Sequence, residues 1–167
     1  MPRFQNPTFQ TVGLSELIEV VSAYKRQGLQ FVQLCATTLE DSCDLLYAFS
    51  DPAASDPGLI GLKVNVADDA KVPSITDFYP AAFVFENETH DLFGIHIEGI
   101  NIDFSGAFYT VAVKYPMNPR AAQAEAAREA AFKEAVRAEG AVEEADEEVS
   151  EEPARPDAQQ GEEQDDE

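Results

Sequence analysis

The sequence predicts an α+β fold, a small antiparallel sheet packed with two or three helices and followed by an acidic, low-complexity C-terminal tail. Three observations carry this reading. Leu14, Leu17, Ile18, Val21 and Tyr24 recur at helical spacing. Two apolar runs, 31–39 and 43–49, flank the turn-prone Glu40-Asp41-Ser42 as the arms of a hairpin would. Residues 83–93 mix aromatic and acidic side chains at helical spacing and stop at Gly94, as a second helix would.

The elements follow in order. The first helix has Ser15 or Thr11 as its expected N-cap and Gly28 beyond its end. After the hairpin, residues 50–58 form a loop by composition, with Pro52, Pro57 and Gly58, and Leu59–Val66 alternates into a third strand. A helix, a three-stranded antiparallel meander and a return helix make a layered sandwich. In the return helix Glu86 and His90 stand at i,i+4 and Glu88 and Asp91 at i,i+3. Phe85, Leu92 and Phe93 supply a packing stripe on other faces. The Ile95, Ile97 pair then leaves along a sheet, with further strand structure expected after it.

Charge divides the chain in two. Net charge is −21, of which residues 1–119 carry −9 and residues 120–167 carry −12. Residues 1–118 are accordingly expected to form the globular domain. Residues 119–167 form the tail, an Ala/Glu-rich stretch to Ala138 with helix propensity but little to bury, then a disordered acidic run from Gly140. So acidic a chain excludes nucleic acid, whose phosphates require clustered Lys and Arg. No apolar run reaches the roughly 18 residues of a membrane span, and the N-terminus has no signal-peptide core, so the expected location is cytoplasmic. Cys35 and Cys43 are wrongly spaced for redox or zinc work and are expected as buried, reduced thiols in neighbouring strands.

The run Glu86-Asn87-Glu88-Thr89-His90-Asp91-Leu92-Phe93-Gly94-Ile95 resembles the signature of the small hydrophilic, C-type subunit of respiratory NADH:quinone oxidoreductases, shared with a counterpart in membrane-bound, energy-converting nickel-iron hydrogenases. The two acids match Glu86 and Glu88, and Asp91, Leu92, Phe93, Gly94 and Ile95 match in register, while Asn87 stands where the family usually has Arg. Upstream, Val72–Ala82 is similar to the family's Pro-Ser-Leu-Thr lead-in and Pro-x-Ala step. The respiratory Gly-His-Pro and basic continuation is missing, and Phe108–Pro116 is more similar to the hydrogenase branch.

The resemblance implies a non-catalytic assembly subunit of a complex I-related hydrogenase, peripherally attached to the cytoplasmic membrane face through the complex. It implies docking on the large catalytic subunit, beside a small iron–sulfur subunit, with coupling to the ion-translocating membrane arm. Nickel-iron and iron–sulfur centres would lie in those partners, and no cofactor is expected in this chain. Glu86, Glu88, Asp91, Leu92, Phe93, Gly94 and Ile95 would form the partner interface. One alternative is the C-type subunit of an NADH (or other donor):quinone oxidoreductase. Another, of a different class, is a small metal-dependent enzyme with Glu86, Glu88, His90 and Asp91 as candidate ligands, His96 lying beyond the expected end of the helix. No Gly-rich phosphate loop or nucleophile elbow accompanies these residues.

Overall fold

The computed structural model describes residues 8–54 and 58–148, with side chains described as far as 137. The elements run β1 (Thr8–Thr11), a 3-10 turn (Leu14–Glu16), α1 (Leu17–Arg26), β2 (Gln30–Thr38), β3 (Cys43–Ser50), β4 (Leu59–Val66), β5 (Lys71–Pro73), α2 (Ala82–Phe93), β6 (His96–Glu98) and α3 (Pro119–Glu148). The chain divides into two units, Met1–Ala126 and Ala127–Glu167. In the second, the described residues continue α3, eight residues beyond the Gly140 at which disorder was expected. The acidic run after Glu148, like the first seven residues, lies outside the described residues.

The hairpin forms because two apolar arms, the second buried on both faces, flank a turn that Leu39 N–H closes on Ser42 C=O at 2.8 Å. Antiparallel pairing then carries β3 onto β4, from Cys43 opposite Val66 to Ser50 opposite Leu59. The sheet is nevertheless mixed rather than antiparallel. Its order is β1-β4-β3-β2, with β1 parallel to β4, and β5 and β6 form a separate parallel pair. Four residues at a sheet edge carry too little alternation to be seen locally, and their partner lies some fifty residues away. The further strands expected after α2 reduce to β6, and residues 99–118 contain no helix or strand.

One face of the sheet carries the core. Leu45, Tyr47, Phe49, Leu62 and Val64 are all fully buried there. Aromatic rings lock the helices to it: Tyr24 of α1 meets Phe49 edge-on at 5.2 Å, and Phe31 of β2 lies 5.8 Å from Phe49 and 5.7 Å from Phe85 of α2. Such pairs contribute about 0.5–1.5 kcal/mol each beyond their burial. Tyr79, in the turn before α2, packs on the same rings and donates its hydroxyl to Leu29 C=O at 3.0 Å. Val32 is the extra residue of a bulge in β2, which rotates Phe31 onto this aromatic cluster.

Two local expectations change. The first helical turn is capped at Gly13, whose N–H donates to Glu16 Oε2 at 2.8 Å, and not at Ser15 or Thr11. Of the two free thiols on neighbouring strands, Cys43 is buried but Cys35 is exposed, because its register position faces away from the core.

The entry to α3 is tied into the first unit by polar groups. Asn118 is fully buried and donates to Asp68 Oδ1 at 3.1 Å and to Phe93 C=O at 3.0 Å. Arg120 forks onto both oxygens of Asp68 at 2.8 and 2.9 Å, and donates to the carbonyls of Leu39, Glu40 and Ser42 in the hairpin turn. The guanidinium hydrogen bond holds the Asp68 carboxyl below the usual carboxylate range.

Candidate functional site

Helix α2 reverses the usual pattern of an amphipathic helix. Its buried residues are Ala82, Glu86, Asn87, Thr89 and Asp91, while Phe83, Val84, Phe85, Leu92 and Phe93 are only half-buried. Buried polar groups need partners, and Glu86, Asn87 and Asp91 have them within the chain. Among the described residues no buried side-chain nitrogen or oxygen lacks a hydrogen-bond partner.

Glu86 is fully buried and tethers the lead-in segment. Its carboxylate accepts from Ser74 Oγ at 2.6 Å and from Ile75 N–H at 2.8 Å. The chain of contacts continues through Thr76 Oγ1, 2.7 Å from Ser74 Oγ, which accepts from Asn101 N–H at 3.0 Å. Burial pushes the Glu86 carboxyl above its ordinary value, and the two hydrogen bonds pull the other way. Glu86 therefore holds the lead-in segment directly and reaches the segment after β6 only through Ser74 and Thr76.

Asn87 fixes the segment after β6. Its amide donates to Phe83 C=O at 2.7 Å and to Ile102 C=O at 2.8 Å, and its Oδ1 accepts from Phe104 N–H at 2.9 Å. Asp91 repeats the device one turn later, accepting from Tyr109 N–H at 2.8 Å while its other oxygen lies 3.0 Å from His90 Nδ1. Tyr109 also donates its hydroxyl to Glu88 at 3.1 Å, and this bond raises the phenol's pKa. The i,i+3 acids Glu88 and Asp91 are thus joined through one tyrosine. Glu86 and His90, expected as an i,i+4 pair, have separate partners.

Gly94 ends the helix in the left-handed conformation, φ 70° and ψ 22°, with its N–H on His90 C=O at 2.9 Å. A Cβ there would sit 2.8 Å from Tyr115 Cγ and 3.1 Å from Ala121 Cβ. Ile95 is buried in the core, while Glu88, Leu92 and Phe93 keep part of their surface exposed. Of the seven signature residues, then, Glu86, Asp91 and Ile95 point inward.

His96 is exposed and faces Glu98, 3.4 Å away. His90 and His96 share the wall of a cavity of about 270 Å³ with Asp103 and Ser105. Among the described residues, however, no three His, Cys, Asp or Glu side chains are placed to hold a metal ion. The metal-enzyme alternative has no ligand set in this region. The residues that sequence reasoning passed over are Ser74, Thr76, Asn87 and Tyr109, whose roles depend on partners more than ten positions distant. Asn87 was visible only as a departure from the family's arginine.

One pH effect follows from Glu86. Because its folded pKa is raised, the associated stability is fully present below the ordinary carboxylate range and is lost as pH rises through the folded value. Glu86→Gln keeps an acceptor for Ile75 N–H and removes the charge. Melts of both proteins between about pH 4 and pH 8 should show the variant at least as stable as wild type at the upper end, with the difference shrinking on acidification. A variant markedly less stable at neutral pH would mean that the ionised carboxylate is required. Asp68 and Asp44, held low by Arg120 and Lys63, titrate with the opposite sign in both proteins and cancel in the comparison.

Fold and site together define a small α+β domain organised on a helix of buried acids that holds its own flanking segments. Residues 11–104 match the family described as the respiratory-chain NADH dehydrogenase, 30 Kd subunit, and the chain belongs to that family. It is similar to the C-type subunit of NADH-quinone oxidoreductase from Ruegeria pomeroyi, 50% identical over 40 residues covering 24% of this chain and 20% of that protein. The same protein from Mesorhizobium japonicum is 34% identical over 90 residues, 50% of this chain and 44% of the relative. That of Sinorhizobium medicae is 32% identical over 74 residues, covering 42% and 36% respectively. The chain thus spans less than half the length of the curated relatives it matches. A chain in the structure of the membrane-bound sulfane sulfur reductase, an archaeal respiratory membrane complex, shares the fold with a TM-score of 0.59 at 20% identity, over 70% of this chain and 71% of that one. Among the described residues no helix is long and apolar enough to cross a membrane.

Proposed function

We propose that this chain is a non-catalytic, C-type component of an NADH (or other donor):quinone oxidoreductase, docked on the large quinone-site subunit of the peripheral arm. The shared name of the three curated relatives supports this reading over the hydrogenase branch expected from residues 108–116. The observation that carries the accessory role is the inward use of the signature: Glu86, Asn87 and Asp91 hold segments of the chain itself. In this reading an iron–sulfur subunit and a membrane arm belong to the same assembly, which attaches the chain to the cytoplasmic membrane face. The partner-facing part of the signature is Glu88, Leu92 and Phe93, positioned by Glu86, Asp91, Gly94 and Ile95.

Co-purification of the full chain with the other oxidoreductase subunits tests the proposal, and their absence from the purified material would refute it. Within that experiment Glu88→Ala should lower the free subunit's stability by less than about 1 kcal/mol, since its partner Tyr109 is solvent-exposed. Recovery of the complex should fall about tenfold if a partner cation is left unpaired. The reverse result, a sharp loss of stability with assembly untouched, would make Glu88 a fold-holding residue only.

In the same reading residues 1–118 are the docking domain and residues 119–167 a helical and acidic arm. Ending the chain after Ala126 keeps Arg120 and should leave the melting temperature of the domain unchanged. Ending it at Pro119 removes the fork on Asp68 and should lower stability by about 1–2 kcal/mol. Equal melts for the two truncations would show that Arg120 contributes nothing.

A further inference from the structure

Residues 99–118 form an irregular strap that is nonetheless pinned at defined points. Asn87 holds Ile102 C=O and Phe104 N–H, Asp91 holds Tyr109 N–H, and Met117 N–H reaches Leu92 C=O at 2.9 Å. Between these points the strap turns large apolar side chains outward. Phe104 and Tyr109 are 43% and 42% exposed, and Ile102 is 52% exposed. Phe108 joins the two aromatics into one cluster, with ring centroids 5.1 Å from Phe104 and 5.0 Å from Tyr109. Aromatic rings packed edge to face and held outward by buried polar groups are in the state binding requires, because the ordering cost is met by the fold.

We infer that this aromatic strap is a preformed docking face for a protein partner whose apolar surface is edged by Arg or Lys. The inference rests on the oxidoreductase-subunit reading and names the surface that makes the contact. Much of the strap lies beyond residue 104, where the family match ends. The choice of occupant comes from charge. Residues 82–118 carry five carboxylates against one lysine, and Glu88 and Asp103 stand beside the aromatic cluster. A second copy of a chain of net charge −21 would bring the same acids face to face, and an anionic lipid surface would be repelled in the same way. A basic-edged protein surface satisfies both the rings and the rim.

The test uses the full chain in cells that make the rest of the complex, with a photo-crosslinking phenylalanine analogue placed at position 104, at 109, or at the exposed Leu59 of β4. Positions 104 and 109 are expected to cross-link to another component of the oxidoreductase, through a peptide bearing Arg or Lys beside apolar residues. The double substitution Phe104→Ser with Tyr109→Ser should reduce recovery of the complex by at least about tenfold, with the free subunit's melt nearly unchanged. Cross-links from Leu59 but not from 104 or 109, within a complex that still co-purifies, would overturn the strap and leave the functional reading standing. Cross-links from the strap to a second copy or to lipid would overturn the choice of occupant. Wild-type chain that recovers no other oxidoreductase component would overturn the functional reading, and this inference with it.

Discussion

The substitution Gly94→Val is expected to lower the stability of the domain by about 2–4 kcal/mol. A left-handed φ costs an L-residue roughly 1–2 kcal/mol, more for a β-branched one. The remainder is steric, because the new Cβ would lie 2.8 Å from the Tyr115 ring and 3.1 Å from Ala121 Cβ, atoms that belong to the strap and to the first turn of α3. Gly28 provides the control. Its φ is 83°, and nothing stands within 4 Å of an added Cβ, so Gly28→Val should cost only the conformational part. Urea unfolding of the two variants measures the difference directly. Equal losses would show that the strap and α3 yield without cost, and that Gly94 is a helix stop and nothing more.

The substitution Asn87→Leu should cost about 2–3 kcal/mol, although it replaces a polar side chain by an apolar one of similar size on a buried helix face. Asn87 is 1% exposed and makes three hydrogen bonds, two of them to the backbone of the strap. Leucine leaves Ile102 C=O and Phe104 N–H without partners, at about 1–3 kcal/mol for each group that stays dry. Partial rehydration of the strap sets the lower figure. The same change should release the aromatic cluster, so near-ultraviolet circular dichroism from Phe104, Phe108 and Tyr109 should weaken in the native state. A loss below about 0.5 kcal/mol with an unchanged aromatic spectrum would mean that Asp91 alone fixes the strap.

These two residues mark what the sequence displayed and what it concealed. Gly94 was legible as a stop because a helix C-terminus makes a local demand that glycine answers. The hairpin and Leu59–Val66 were legible for the same reason, since short apolar runs broken by a turn-prone triplet are a property of neighbours. Glu86 and Asp91 were legible as a motif but not in their orientation. An acid on a helix is expected to face water or a partner's cation, and the donors that make burial tolerable, Ser74 with Ile75 N–H and Tyr109 N–H, lie between eleven and eighteen positions away. The parallel edge strand β1 was hidden because its only signal is the β4 it pairs with. For the strap, sequence suggested strands, and only the carbonyls and amides held by Asn87 and Asp91 explain why it has none.

The fork of Arg120 also sets an order of events on the ribosome. The carbonyls it holds in the hairpin turn precede it by 78 to 81 residues. At about 5–20 residues per second, the turn leaves the ribosome roughly 4–16 s before its arginine does. A hairpin closes in about 1–10 μs, so the strands flanking the turn have time to pair while the carbonyls of Leu39, Glu40 and Ser42 are still hydrated. Closure of the 80-residue circuit from turn to helix is therefore a late event in the birth of this chain, one that converts a nascent sheet into a locked domain only when α3 begins to emerge.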